Sequence, residues 1–379
     1  MFKNIFSLLL STVFVSAAIA QTTKTATESY DEGMKLLDNK QYKEALVAFK
    51  SAGAKKPDYS DAWYEAGWAC NELEQYTDAI TYLEKAKKLA PSQAKIYFEL
   101  AYAQENADKT DDAIKNYEKA LELYPEYYSA AQGLGDIYYK KEDYSKALDY
   151  YKQYMQSDDV DNYYYYKTAW CFNDLEKYDE AITYLEKYEP AEADDIAKKY
   201  AEIGYSNYKL KNDDEAVDAY KKALDAKPDY GTALRGLGNV YYDNTEEYDE
   251  AIDYFEQAVE KDEENSKDDY YKLGWLYNDA EKYADAIAVL LKAVDYDEKD
   301  AGNREELGYA YYMKDNYEDA LTQLNKAIEL DSKSKLGYYY KGLCYLAQDK
   351  KDAAVDMYNK LKDINAEQAE KLLAKINGN

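Results

Sequence analysis

Three tryptophan–asparagine pairs, Trp68 with Asn71, Trp170 with Asn173 and Trp275 with Asn278, recur at intervals of 102 and 105 residues. Each asparagine follows its tryptophan by three positions, one turn along the same helical face, and Tyr64, Tyr166 and Tyr271 extend each stripe four residues upstream. Related stripes lie between them: Phe98 with Tyr102, Tyr205 with Tyr208, and Tyr309 with Tyr312. These side chains suit recognition. Rings offer large rigid contact areas, and a carboxamide carries both donors and acceptors. Bond-making chemistry has far less to work with, because the chain has 48 tyrosines and four tryptophans but no histidine. That excludes Ser-His-Asp and Cys-His catalysis and histidine metal sites. No phosphate-cradling glycine loop occurs either, so neither an enzyme activity nor a cofactor is expected.

Charge narrows the partners. A formal net charge of −28 repels phosphate backbones, which argues against nucleic acid and for either basic partners or simply a solvated acidic exterior. The nearest approach to a calcium loop, DYDEKDAGNREE at 295–306, has Asp295, Asp297 and Glu306 at ligand positions. It puts Asp300 where the turn glycine belongs and Lys299 at the fifth position, so no metal is expected there.

The elements that would position the stripes follow from an internal repeat. One alanine recurs at 45, 79, 113, 147, 181, 216, 251, 286, 320 and 354, with steps of 34 or 35. A small residue precedes each: glycine at 33, 67, 135, 204, 238, 274, 308 and 342, alanine at 101 and 169. Both columns sit on single-face helical stripes, as with Trp63, Gly67 and Cys70, then Ala79, Leu83 and Ala86. Every proline (Pro57, Pro91, Pro125, Pro190, Pro228) falls between repeats, where a helix must stop. The chain reads as all-α, about ten helix-turn-helix repeats over 26–363, with 364–379 a capping helix (366–376) and tail.

With Trp63, Gly67, Ala79 and Pro91 in one repeat and Leu100, Ala113 and Pro125 in the next, the chain resembles the tetratricopeptide repeat family. The resemblance implies a right-handed superhelical α-solenoid whose first helices line a concave, ligand-facing side. Carried onto this sequence, that face holds Tyr64, Trp68, Asn71, Phe98, Tyr102, Tyr166, Trp170, Asn173, Tyr205, Tyr208, Tyr271, Trp275, Asn278, Tyr309 and Tyr312. Tyr165, in the column of Trp63, should instead pack between helices. Tyrosines opening the second helices (Tyr42, Tyr76, Tyr144, Tyr178, Tyr248, Tyr283, Tyr317) are assigned to repeat packing. The peptide-carboxylate clamp of some family members is incomplete here, since Arg235 and Asn239 are followed by Lys272, Gly302 and Glu306.

A longer period underlies the first. GWACNELEQY (67–76), AWCFNDLEKY (169–178) and GWLYNDAEKY (274–283) align three repeats apart, which indicates duplication of a three-repeat block. At the N-terminus, residues 1–20 combine Lys3, an apolar run and Ala18-Ile19-Ala20, the pattern of a cleaved secretory signal. A periplasmic or secreted protein without a membrane span is expected. Cys70, Cys171 and Cys344, several repeats apart, read as buried thiols. The leading expectation is an exported scaffold that holds a protein or extended peptide, preferably basic, in an acidic aromatic groove. The alternative is a cell-wall glycan bound by the same rings.

Overall fold

The computed structural model describes residues 24–265 and 267–378, and the expected signal sequence lies outside them. All regular structure among the described residues is helical. Helices alternate as antiparallel pairs: α1 (Ala26–Asp38) with α2 (Tyr42–Lys55), α3 (Ser60–Glu72) with α4 (Tyr76–Leu89), α5 (Ala94–Asn106) with α6 (Thr110–Leu123), and α7 (Tyr128–Lys140) with α8 (Tyr144–Tyr154). Next come α9 (Tyr163–Asp174), α10 (Tyr178–Lys187), α11 (Ala193–Leu210), α12 (Asp213–Ala226), α13 (Gly231–Val240) and α14 (Tyr248–Lys261). The series ends with α15 (Asp269–Asp279), α16 (Tyr283–Tyr296), α17 (Ala301–Met313), α18 (Tyr317–Leu330), α19 (Lys335–Ala347), α20 (Lys351–Lys362) and α21 (Ala366–Ile376). Two compact units are distinguished, one ending at Glu176 and the other starting at Lys177. The first holds α1 to α9 and the second α10 to α21. All five prolines fall in connections between pairs, as expected.

The turn inside most pairs has one construction. In the second pair, the Gln75 N–H reaches back to the Cys70 carbonyl at 2.8 Å and the Glu74 N–H to the Asn71 carbonyl at 2.9 Å. Glu74 itself is left-handed, with φ 58°. This closes the last carbonyls of the helix in the manner of a Schellman end. The same bond joins Lys109 to Gln104, Lys282 to Tyr277 and Lys350 to Tyr345. Left-handed residues recur at every such turn, and all ten are Lys, Glu or Asp where glycine would be the unstrained choice. Beyond the turn, second helices open with acidic residues, such as Asp78 and Asp111 with Asp112, against the positive end of the helix dipole.

Small residues on the first helix admit large ones from the second. A Cβ placed on Gly67 would lie 2.4 Å from Leu83, and one on Gly135 would lie 2.5 Å from the Tyr151 ring. Leu83 and Tyr151 are fully buried in consequence. After α13 the extra residue of the seventh repeat is absorbed as a single π-helical turn, Tyr241–Thr245. In the last pair the space over Gly342 is filled by Leu372 of α21, so the final helix occupies the place a following repeat would take.

Some successive first helices touch directly: α3 with α5 in the first unit, and α11 with α13, α15 with α17, and α17 with α19 in the second. Among the described residues no two second helices approach one another to that extent. First helices therefore form the inner wall of each stack. Cys70, Cys171 and Cys344 are free and fully buried, and burial raises their thiols to about 11, 12 and 12 respectively. Thiols so far above neutrality are unreactive at physiological pH.

Candidate functional site

The inner wall is organised by rings set between successive pairs. Tyr42 at the start of α2 meets Trp68 of the next first helix edge-on, with centroids 5.9 Å apart. Equivalent edge contacts join Tyr76 to Tyr102 (6.3 Å), Tyr144 to Trp170 (4.9 Å), Tyr248 to Trp275 (5.6 Å) and Tyr283 to Tyr309 (6.1 Å). Tyr178 meets Tyr205 likewise. The turn tyrosines are thus packing residues, as the sequence indicated, and what most of them pack against is the stripe that the sequence marks as a candidate for recognition. Edge-to-face geometry of this kind adds about 0.5–1.5 kcal/mol per pair beyond area burial. Two repeats depart from the pattern in sequence, with Thr110 in the turn column ahead of Asp136 and Asp213 ahead of Asn239.

The polar third positions tie the blocks together. Asp136 takes Lys167 at 2.7 Å, the Tyr151 hydroxyl at 2.8 Å and the Tyr164 hydroxyl at 2.6 Å. In the second unit Asn239 accepts from Lys272 at 2.5 Å, and Asp243 accepts from the Tyr208 hydroxyl at 2.7 Å.

The asparagines have a different occupation from the one expected. Asn71 and Asn278 are 5% and 3% exposed. The Asn71 amide donates to the Glu99 carbonyl at 3.1 Å and to its carboxylate at 2.8 Å. Asn278 does the same with Glu306, at 3.1 and 2.9 Å. Their donors are spent between repeats, so only the carbonyl oxygens Oδ1 are left, and both are buried without a partner. Asn173 is likewise buried, at 6%. Burial, more than charge repulsion, raises the carboxyl of Glu99 to about 7, and it raises that of Glu306 as well.

Tyr102, Tyr205 and Tyr271 are 39%, 38% and 37% exposed, which makes them the open members of the expected set. Tyr64 is half-buried beneath Lys95, whose ammonium stands 4.0 Å from its ring centre. Phe98 is half-buried against Tyr117 and Tyr127. Tyr166 stacks on Tyr163 at 5.7 Å, and Tyr312 packs on Tyr317 and Tyr340. Of the four consecutive rings Tyr163 to Tyr166, Tyr164 is the buried one, 6% exposed, and Tyr165, expected to pack between helices, stays half-buried. In the second unit Trp275, Asn278, Glu306, Tyr309 and Tyr340 line a pocket of about 260 Å³ together with Asp279, Glu305 and Leu336. Sequence reasoning missed Glu99, Glu306 and Tyr340. The signal for the glutamates was present: Glu99, Glu202 and Glu306 form a column with the three-repeat period, 28 or 29 residues after each asparagine.

Models of the tetratricopeptide repeat match residues 36–104, 98–162, 163–189, 202–266, 271–335 and 306–369. The chain is a tetratricopeptide repeat protein. No curated protein sequence matches it. Among solved structures, it is similar to YrrB, described as a tetratricopeptide repeat protein with an unusual peptide-binding site. The likeness is 29% identity over 46% of this chain and 90% of that one, with a TM-score of 0.44. The C-terminal part of a repeat protein from Cytophaga hutchinsonii is 17% identical over 63% and 98% of the two chains, with a TM-score of 0.49. MamA from Desulfovibrio magneticus is 21% identical over 46% and 97%, with a TM-score of 0.41. Tetratricopeptide repeat proteins in general act as non-catalytic interaction scaffolds, and this chain belongs to that family.

Proposed function

We propose that the protein is an exported, non-enzymatic scaffold that holds an extended, basic segment of a partner protein along the first-helix wall. The observation that carries this reading is the composition of the wall in each unit: half-open Tyr102 with Glu65 and Glu99 in the first, and half-open Tyr205 and Tyr271 with Glu305 and Glu306 in the second. Tyrosine supplies contact area with little rotamer entropy to lose. Carboxylates in a chain of net charge −28 steer positive segments in and oppose negative ones. The nucleophile, poised acid and phosphate loop that an enzyme would need are not suggested by the sequence.

Selection of a random peptide library on the full-length chain tests this. Retained peptides are expected to be enriched in Lys and Arg and to lose binding when Tyr102 and Tyr271 are both changed to Ser. Retention of none, or of sequences indifferent to charge, would remove the proposal. A neutral polysaccharide held equally well in dilute and concentrated salt would replace the peptide with a sugar. The exported half of the proposal stands if the chain recovered outside the cytoplasm begins at Gln21.

A further inference from the structure

We propose that the pocket walled by Trp275, Tyr309 and Tyr340 takes one basic side chain of the bound segment, a lysine ammonium or an arginine guanidinium, beside Glu306. Trp68, Asn71, Glu99 and Tyr102 form a second such seat in the first unit. The inference rests on the scaffold reading and names what that wall recognises.

Asn278 is the key. It is 3% exposed, both contacts of its amide nitrogen go to Glu306, and its Oδ1 is buried with no donor. An orphaned buried acceptor of this kind is costly, and an incoming donor recovers that cost. The surroundings decide the charge of that donor. Glu305, Glu306 and Asp279 line the same pocket, and its described lining includes no lysine or arginine. An anion would be repelled, and a neutral donor would satisfy the carbonyl while leaving the carboxylates uncompensated. A cation answers both, and indole and phenol faces attract it further. Tyr309 and Tyr340 lie 4.7 Å apart at a 38° tilt, a wall of two rings beside the tryptophan.

The same arrangement appears two blocks earlier, in the first block. Asn71 is 5% exposed, donates twice to Glu99 and has an orphaned Oδ1. The column of Tyr340 holds Gly133 in the first block, and a Cβ there would lie 2.6 Å from the Tyr117 ring. The first seat therefore lacks one ring and is the weaker of the two. Burial keeps Glu99 and Glu306 above the ordinary carboxylate range, as expected of acids waiting for a counter-charge.

The test is fluorine NMR of the full-length chain carrying fluorotryptophan, with signals assigned by single Trp→Phe changes. Butylammonium and propylguanidinium are the probes, and butanol is the neutral control of similar length. Either cation should move the Trp275 signal saturably and the Trp68 signal at higher concentration. Trp63, 9% exposed and stacked on Tyr82, should stay fixed. Glu306→Gln, which preserves an acceptor for Asn278, should weaken the Trp275 response roughly tenfold and leave Trp68 unchanged. The cation with the higher affinity names the side chain. An equal response to butanol, no saturation, or full affinity in Glu306→Gln would overturn the assignment. Small cations need no partner segment, so cation binding without peptide selection would sink the scaffold reading alone. Selected peptides without a Trp275 response would sink the pocket alone.

Discussion

A carboxyl raised to about 7 from 4.5, as Glu99 is, makes folding proton-linked. Between those values the folded chain keeps a proton that the unfolded chain has released. Stability from this residue is therefore highest below pH 4.5, falls as pH rises through 7, and is level above. The groups facing it cannot reverse the sign: Glu65 and Glu72 add repulsion, and the Asn71 bond only partly offsets burial. Glu99→Gln should thus stabilise the chain at pH 8, on the order of 1–3 kcal/mol, and match the parent below pH 4.5. Urea melts at the two pH values check this, and equal stability at pH 8 would show that Glu99 carries no such cost. This residue also marks where sequence reading ends. Trp68 and Asn71 were legible because they share a helix and a period. Their actual partners, Tyr42 and Glu99, lie 26 and 28 residues away on neighbouring repeats, and no local spacing joins them. The asparagines were therefore assigned to a ligand when their amides bind the next repeat.

At the scale of the element, helix pairs, small-residue columns and proline stops were readable because each is local and recurs with the repeat. The turn was not readable in detail. Sequence rules place glycine at a left-handed helix end, whereas this chain uses Glu74, Glu142, Glu281 and their equivalents at φ near 58°. A side chain there costs about 1–2 kcal/mol, partly offset because glycine loses more entropy on folding. Glu74→Gly should raise the melting midpoint of helicity, with a gain of roughly 0.5–1 kcal/mol. A fall would mean that the Glu74 side chain makes a contact worth more than the strain.

At the scale of the molecule, the three-repeat period is the organising feature. Within it the column of Trp68 runs Trp, Tyr, Asp in the first block, Trp170, Tyr205, Asn239 in the second, and Trp275, Tyr309, Leu343 in the third. Repeats in a solenoid act mainly on their neighbours, so a duplicated block repeats its chemistry, and under the proposed function a long partner segment would meet similar side chains more than once. That is the basis for expecting affinity to build along a basic chain. The most direct measurement is the dissociation constant of a library-selected peptide on the full-length chain at low and high ionic strength. Screening shortens from about 14 Å at 0.05 M to about 4 Å at 0.5 M salt, and the account predicts that binding weakens by roughly tenfold or more across that range. An affinity unchanged by salt would contradict recognition of basic segments by the acidic wall.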